Sequence, residues 1–130
     1  MNLFATFRPI VSAFALILLP LFVQAAEAPY SKAQFDTALA QGKPVIVHFS
    51  ADWCPTCKAQ KPIIESLLKG EKLKNITFLT ANYDTEADFK KQLHITQQST
   101  FVVFKDGKEA ARSTGQTDKQ AIAALFDKAL

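Results

Sequence analysis

The chain is poor in the residues that build metal centres and nucleic-acid surfaces. Its 130 residues include two cysteines, two histidines and one methionine, Met1. A structural zinc site needs four ligands. A single Cys-x-x-Cys, with His48 and His94 far apart in sequence, does not supply them. A haem-attachment motif needs histidine directly after the second cysteine, where this chain has Lys58. Lys and Arg exceed Asp and Glu by only 15 to 12, and the lysines are scattered, which argues against a nucleic-acid footprint. The chain shows no internal repeat and no low-complexity segment. An even cysteine count leaves no odd thiol.

Both cysteines lie in Trp53-Cys54-Pro55-Thr56-Cys57-Lys58. The apolar, β-branched run Val45-Ile-Val-His-Phe49 precedes this stretch. A helical pattern, Ile63, Ile64, Leu67 and Leu68, follows it. Cys54 is therefore expected where a strand ends and a helix begins. Unpaired N–H groups and partial positive charge at that point favour an anion, and the thiolate is the reactive form of cysteine. One helical turn brings Cys57 beside Cys54, close enough for a disulfide to form and break. A purely structural disulfide would close a very short loop and stabilise little. The strand–CxxC–helix context favours a redox-active pair, with Cys54 as the nucleophile and the more exposed thiol.

The first residues read as an export signal. Residues 1–8 carry Arg8 and no acid, residues 10–23 are almost wholly apolar, and small or apolar residues stand at Val23-Gln24-Ala25. A secretory signal peptide over 1–25 is expected, with a domain over 26–130 and a periplasmic or secreted location. A membrane anchor is the alternative, but the apolar run is short and Pro20 interrupts it. Removing Arg8 leaves a charge of 14 − 12 = +2. Export also permits disulfide chemistry.

The remaining residues read helix, strand, helix, strand, helix, strand, strand, helix. Ser31 and Gln34 form a capping-box pattern, and Ala33, Phe35, Ala38 and Leu39 follow at helical spacing up to Gly42. Strands are expected at 45–50 and 76–81. The CxxC helix runs to about Lys69, is kinked by Pro62 and is stopped by Gly70. A short helix covers about 85–93. A hairpin follows over 101–104 and 109–113, with Asp106-Gly107 as its turn. Thr117 and Gln120 cap a last helix with the stripe Ile122, Leu125 and Phe126. This order implies an α/β fold, a central mixed four-stranded sheet flanked by helices on both faces.

Trp53-Cys-Pro-Thr-Cys-Lys58 after a hydrophobic strand, Pro62 in the next helix and Phe104-Lys-Asp-Gly107 in the late hairpin resemble the thioredoxin family. The resemblance covers essentially the whole domain, except that the family's extra N-terminal strand is expected to be absent. It implies a thioredoxin-like fold and thiol–disulfide exchange on protein or peptide substrates. Cys54 would attack, Cys57 would resolve, and no cofactor would be needed. Trp53, Pro55, Thr56, Gln98, Ser99 and Thr100 would form the active-site loop and substrate groove, with Gln98 docking the substrate backbone. An exported reductant would draw electrons from a membrane-bound partner, and a monomer is expected. The rival reading is a Cu(I)-type metal-binding or delivery protein using the same thiolates.

Three positions depart from the family pattern. His48 stands where the family has a buried acid thought to relay protons to the second cysteine, and its near-neutral intrinsic pKa suits that role. The alternative is a neutral core histidine bonded to backbone. Thr80 stands where the family has a lysine paired with that acid, and Ser99 where it has a cis-proline facing the disulfide. A cis bond before serine would cost about 2.5–4 kcal/mol, so the loop is either trans or strained. His94 reads as a solvated residue at a helix end.

Overall fold

The computed structural model describes residues 24–130. Most of the expected signal peptide, residues 1–23, lies outside the described residues. Among the described residues no helix is long and apolar enough to cross a membrane.

Strand β2 (Val45–Ser50) is the centre of the molecule. Its first five residues are all buried, as a near-continuous apolar run requires when both faces are covered. It pairs in parallel with β3 (Thr77–Asn82) and antiparallel with β4 (Thr100–Lys105), which pairs in turn with β5 (Lys108–Thr114). A further strand, β1 (Glu27–Pro29), pairs in parallel with β3, so the sheet has five strands in the order β1-β3-β2-β4-β5. The expectation of four strands missed β1. Three extended residues suffice at a sheet edge, and Pro29 is tolerated there because it need not donate to a ladder.

Among the described residues four α-helices cover the sheet: α1 (Lys32–Ala40), α2 (Pro55–Leu68), α3 (Ala87–Gln92) and α4 (Lys119–Asp127). Strand residues alternate between faces. Ile46, Phe78, Phe101 and Val103 pack with Ile64 of α2 and Phe126 of α4. Val47, Phe49, Leu79 and Val102 pack with Phe35 of α1 and Phe89 of α3.

Ser31 caps α1 by accepting from the Gln34 N–H. The β4–β5 turn has φ 52° at Asp106 and 77° at Gly107, the doubly positive pattern of a type I′ hairpin. Two helix-boundary signals differ from expectation. Asp118, not Thr117, caps α4, its carboxylate accepting from the Ala121 N–H at 2.8 Å. The Thr117 and Asp118 N–H groups are taken by the Gln116 side chain. Gly70 has φ −74° and opens a 3-10 turn, Glu71–Leu73, instead of ending α2 in the left-handed region.

Candidate active site

The site begins where β2 ends. Ala51 to Trp53 turn the chain, and Cys54 becomes the N-cap of α2, with Pro55 in the first turn. Proline suits that position because its missing N–H is one the helix would leave unpaired. Cys54 and Cys57 are disulfide-bonded, their Cα atoms 5.3 Å apart. The Cys57 N–H points at Cys54 Sγ at 3.1 Å. This donor and the helix N-terminus stabilise negative charge on Cys54 when the bond opens.

Neither sulphur-bearing residue is exposed in the disulfide form, Cys54 at 1% and Cys57 at 4%. The expectation that Cys54 is the more exposed thiol therefore fails. Ala51 and Tyr83 pack around the pair and cover both. Trp53 is the exposed member of the motif at 57%. Its indole N–H donates to Asp84 Oδ2 at 2.8 Å, which fixes the ring beside the cysteines. Pro55 is exposed and Thr56 half-buried, both on the first turn of α2.

Behind the disulfide lies a buried polar cluster. His48 is buried on β2, stacked on Phe101 with ring centroids 4.5 Å apart. Its Nε2 meets Gln60 Oε1 at 2.8 Å, and its Nδ1 is buried with no partner. Burial lowers its pKa to about 4, against the opposing pull of the Gln60 hydrogen bond and the Glu27 charge. His48 is thus a neutral core histidine, but its partner is a side chain and not backbone.

Gln60 is the residue that sequence reasoning missed. It is wholly buried on α2, one turn beyond Cys57. Its amide donates to the carbonyls of Ser99 at 3.3 Å and Gln116 at 2.9 Å. A signal existed: Cys57, Gln60 and Ile64 share the buried face of an amphipathic helix, where an amide needs buried partners.

Ser99 is buried in a trans loop with φ 55°, and no cis peptide occurs among the described residues. The fork posed at Ser99 is resolved towards trans, with the strain held in φ. Ser99 reaches the site through its carbonyl, which accepts from Gln60 and from the Gly115 N–H. Gln98 beside it is half-buried, and Thr100 Oγ1 is fixed by Gln97 O and Thr114 Oγ1. Thr80 pairs in register with His48 and donates to Glu27 Oε1 at 2.5 Å. His94 stands apart on the surface after α3. Among the described residues no three His, Cys, Asp or Glu side chains converge on a metal-binding point.

A disulfide at a helix N-cap, set beyond the carboxyl end of a central β-strand and flanked by an exposed tryptophan, defines a thiol–disulfide oxidoreductase. The thioredoxin family model matches residues 27–128. The chain is 34% identical over 98 residues to a thioredoxin of Chlamydia trachomatis, covering 75% of this chain and 93% of that one. It is 37% identical over 95 residues to thioredoxin-1 of Saccharomyces cerevisiae, covering 71% and 90%. The crystal structure of Trxlp from Edwardsiella tarda superposes with a TM-score of 0.76 at 35% identity, covering 78% of this chain and 98% of that chain. The chain belongs to the thioredoxin family.

Proposed function

We propose that the chain is an exported reductant of protein disulfides, with Cys54 as nucleophile and Cys57 as resolving thiol. The observation that carries this reading is the Cys57 N–H directed at Cys54 Sγ at the start of α2. In the reduced pair, the Cys54 thiolate attacks one sulphur of a substrate disulfide and expels the other as a thiolate. Cys57 then attacks Cys54 Sγ, closing the internal disulfide and releasing the second substrate thiol. Two electrons pass to the substrate, and the cysteine pair is the only carrier needed. The exposed Trp53 and the backbone at Gln98 frame the docking groove.

Export is supported by Arg8, the apolar stretch over 10–23 and the small residues before Ala26. An exported reductant needs electrons from across the membrane, so a membrane-bound dithiol donor is its natural partner. The reductive direction is supported by the named relatives, which are thioredoxins.

The test is reduction of insulin driven by dithiothreitol. Cys54→Ser should abolish turnover, and Cys57→Ser should accumulate mixed disulfides through Cys54. Turnover that survives Cys54→Ser contradicts the reading.

A further inference from the structure

Cys54 must meet a foreign sulphur in every turnover, yet it is only 1% exposed when the pair is oxidised. Whatever covers it has to move. Its own main chain is held, because it caps α2 and its N–H returns to Ala51 O at 3.2 Å. The pair shares a small cluster with Ala51, which presents only a methyl group, and the larger side chain packed against that cluster is Tyr83. Trp53 is exposed and turned towards Asp84. Tyr83 is therefore the side chain whose position decides access.

Tyr83 directly follows β3, and its N–H donates to Ser50 O at 2.8 Å, one residue beyond the β2–β3 register. Its main chain is thus fixed beside the turn that leads to the cysteines, and the side chain alone is left to swing. Two contacts hold the ring. The phenol O–H donates to Thr96 O at 3.0 Å, at an exposed position. The Lys90 ammonium of α3 stands 3.9 Å from the ring centroid. Contacts of these kinds are weak where water competes, so the ring can be displaced without unfolding the domain.

The Thr96 bond also ties the ring to the loop over 96–99. That loop is pinned at two further carbonyls. Gln97 O accepts from Thr100 Oγ1, and Ser99 O accepts from Gln60 and from the Gly115 N–H. Tyr83 is the one of these pins that also packs against the cysteine pair. A partner that engages the loop disturbs Thr96 O and with it the ring. A small free thiol has no such hold.

We propose that Tyr83 is a specificity-determining residue: its ring closes the approach to Cys54 and yields more readily to a peptide or protein partner on the 96–99 loop than to a small free thiol. This role rests on the reading of Cys54 as the nucleophile and of the loop at Gln98 as the docking groove. When a partner dithiol reduces the pair, the ring moves aside and one partner thiolate bonds to Cys54 Sγ. The Cys54–Cys57 bond breaks, and Cys57 leaves as a thiolate with its electron pair. The second partner thiolate then attacks the first partner sulphur, closes the partner's disulfide and expels the Cys54 thiolate. The partner is oxidised by two electrons and the pair is reduced by two, with protons exchanged with solvent.

Stopped-flow opening of the oxidised protein tests this, followed through Trp53, the one tryptophan of the chain. Dithiothreitol serves as the small thiol, and the reduced B chain of insulin, in excess, as the peptide dithiol. Tyr83→Ala should speed opening by dithiothreitol roughly tenfold, the combined effect of one weak hydrogen bond and one cation–π contact. Tyr83→Phe keeps the ring and the Lys90 contact but loses the Thr96 bond, and should speed it about threefold. Opening by the B chain should not rise in either variant, because a docked partner already displaces the ring. A parental dithiothreitol rate in Tyr83→Ala would overturn the role, and so would an equal rise with both reductants. Should Tyr83→Ala fail to fold, parental rates in both Tyr83→Phe and Lys90→Met, which leave the ring's packing in place, would overturn it as well. Iodoacetamide mapping of the reduced parent checks the reading beneath. Cys54 should be alkylated first, and Cys57 reacting first would refute the nucleophile assignment whatever the Tyr83 variants show.

Discussion

The two faces of the sheet share the same strands and solve different problems. Under α1 and α3 the buried cover is apolar, with Phe35 meeting Phe89 and Phe104, and Phe49 meeting Phe89. Under α2 and α4 the same strands add a histidine, met by a glutamine from the helix that carries the cysteines. The first face stabilises by excluding water. The second gives up some of that stability to keep a buried neutral histidine and a cavity behind the disulfide. The difference shows where stability and chemistry are kept apart. The expectation is that damage to the first face spares the reaction and damage to the second reaches it.

The sharpest way to break this contrast is to damage the apolar face. Phe49 is fully buried there, and Phe49→Ala should cost about 3–5 kcal/mol by denaturant unfolding. The remaining folded protein should still cycle its cysteines at an unchanged potential. A changed potential would mean that the faces are not separable.

Acid should discriminate the faces next. His48 binds its proton at about 4 when folded and near 6.5 when unfolded. Between those values the unfolded state binds more protons, so stability falls as pH drops through this window. The loss should total on the order of 3 kcal/mol and be complete near pH 4. It should vanish in His48→Gln, measured by unfolding from pH 7 to 4. Glu109, held low by Arg112, adds its own loss only below the usual glutamate range, outside most of this window. A parental slope in His48→Gln would place the acid sensitivity elsewhere.

The smallest expected effect lies at the edge of the apolar face. His94 closes α3 with φ 54°, and the next N–H, of Ile95, returns to Lys90 O at 2.8 Å. This is a Schellman ending, which favours glycine. His94→Gly should therefore raise stability by about 1 kcal/mol in the same unfolding assay, with resolution kinetics unchanged. A loss of stability would mean that the imidazole makes a compensating contact.

Sequence reasoning reached the apolar face and the cysteine pair because both are local. Val45–Phe49 carries its strand in its own composition, and Cys54 and Cys57 are spaced by one helical turn. The hairpin at Asp106-Gly107 and the cap at Ser31 are local in the same way. The polar cluster was only half legible. His48 stood out as an odd residue in an apolar strand, but Gln60 finds its carbonyls 39 and 56 residues downstream. No short-range pattern encodes those partners. Strand β1 escaped for a related reason, since its three residues become a strand only through the register that β3 offers. At the start of α4 the expected cap, Thr117, gives way to the carboxylate of its neighbour Asp118.

The central claim is that Cys54 and Cys57 form a reversible, reducing couple. An equilibrium redox titration of the protein tests it most directly, by following thiol content against a glutathione or dithiothreitol buffer. The account predicts a single two-electron transition near that of thioredoxin, about −270 mV. A couple near −120 mV, the range of a strong oxidant, or a pair that cannot be cycled, would contradict it.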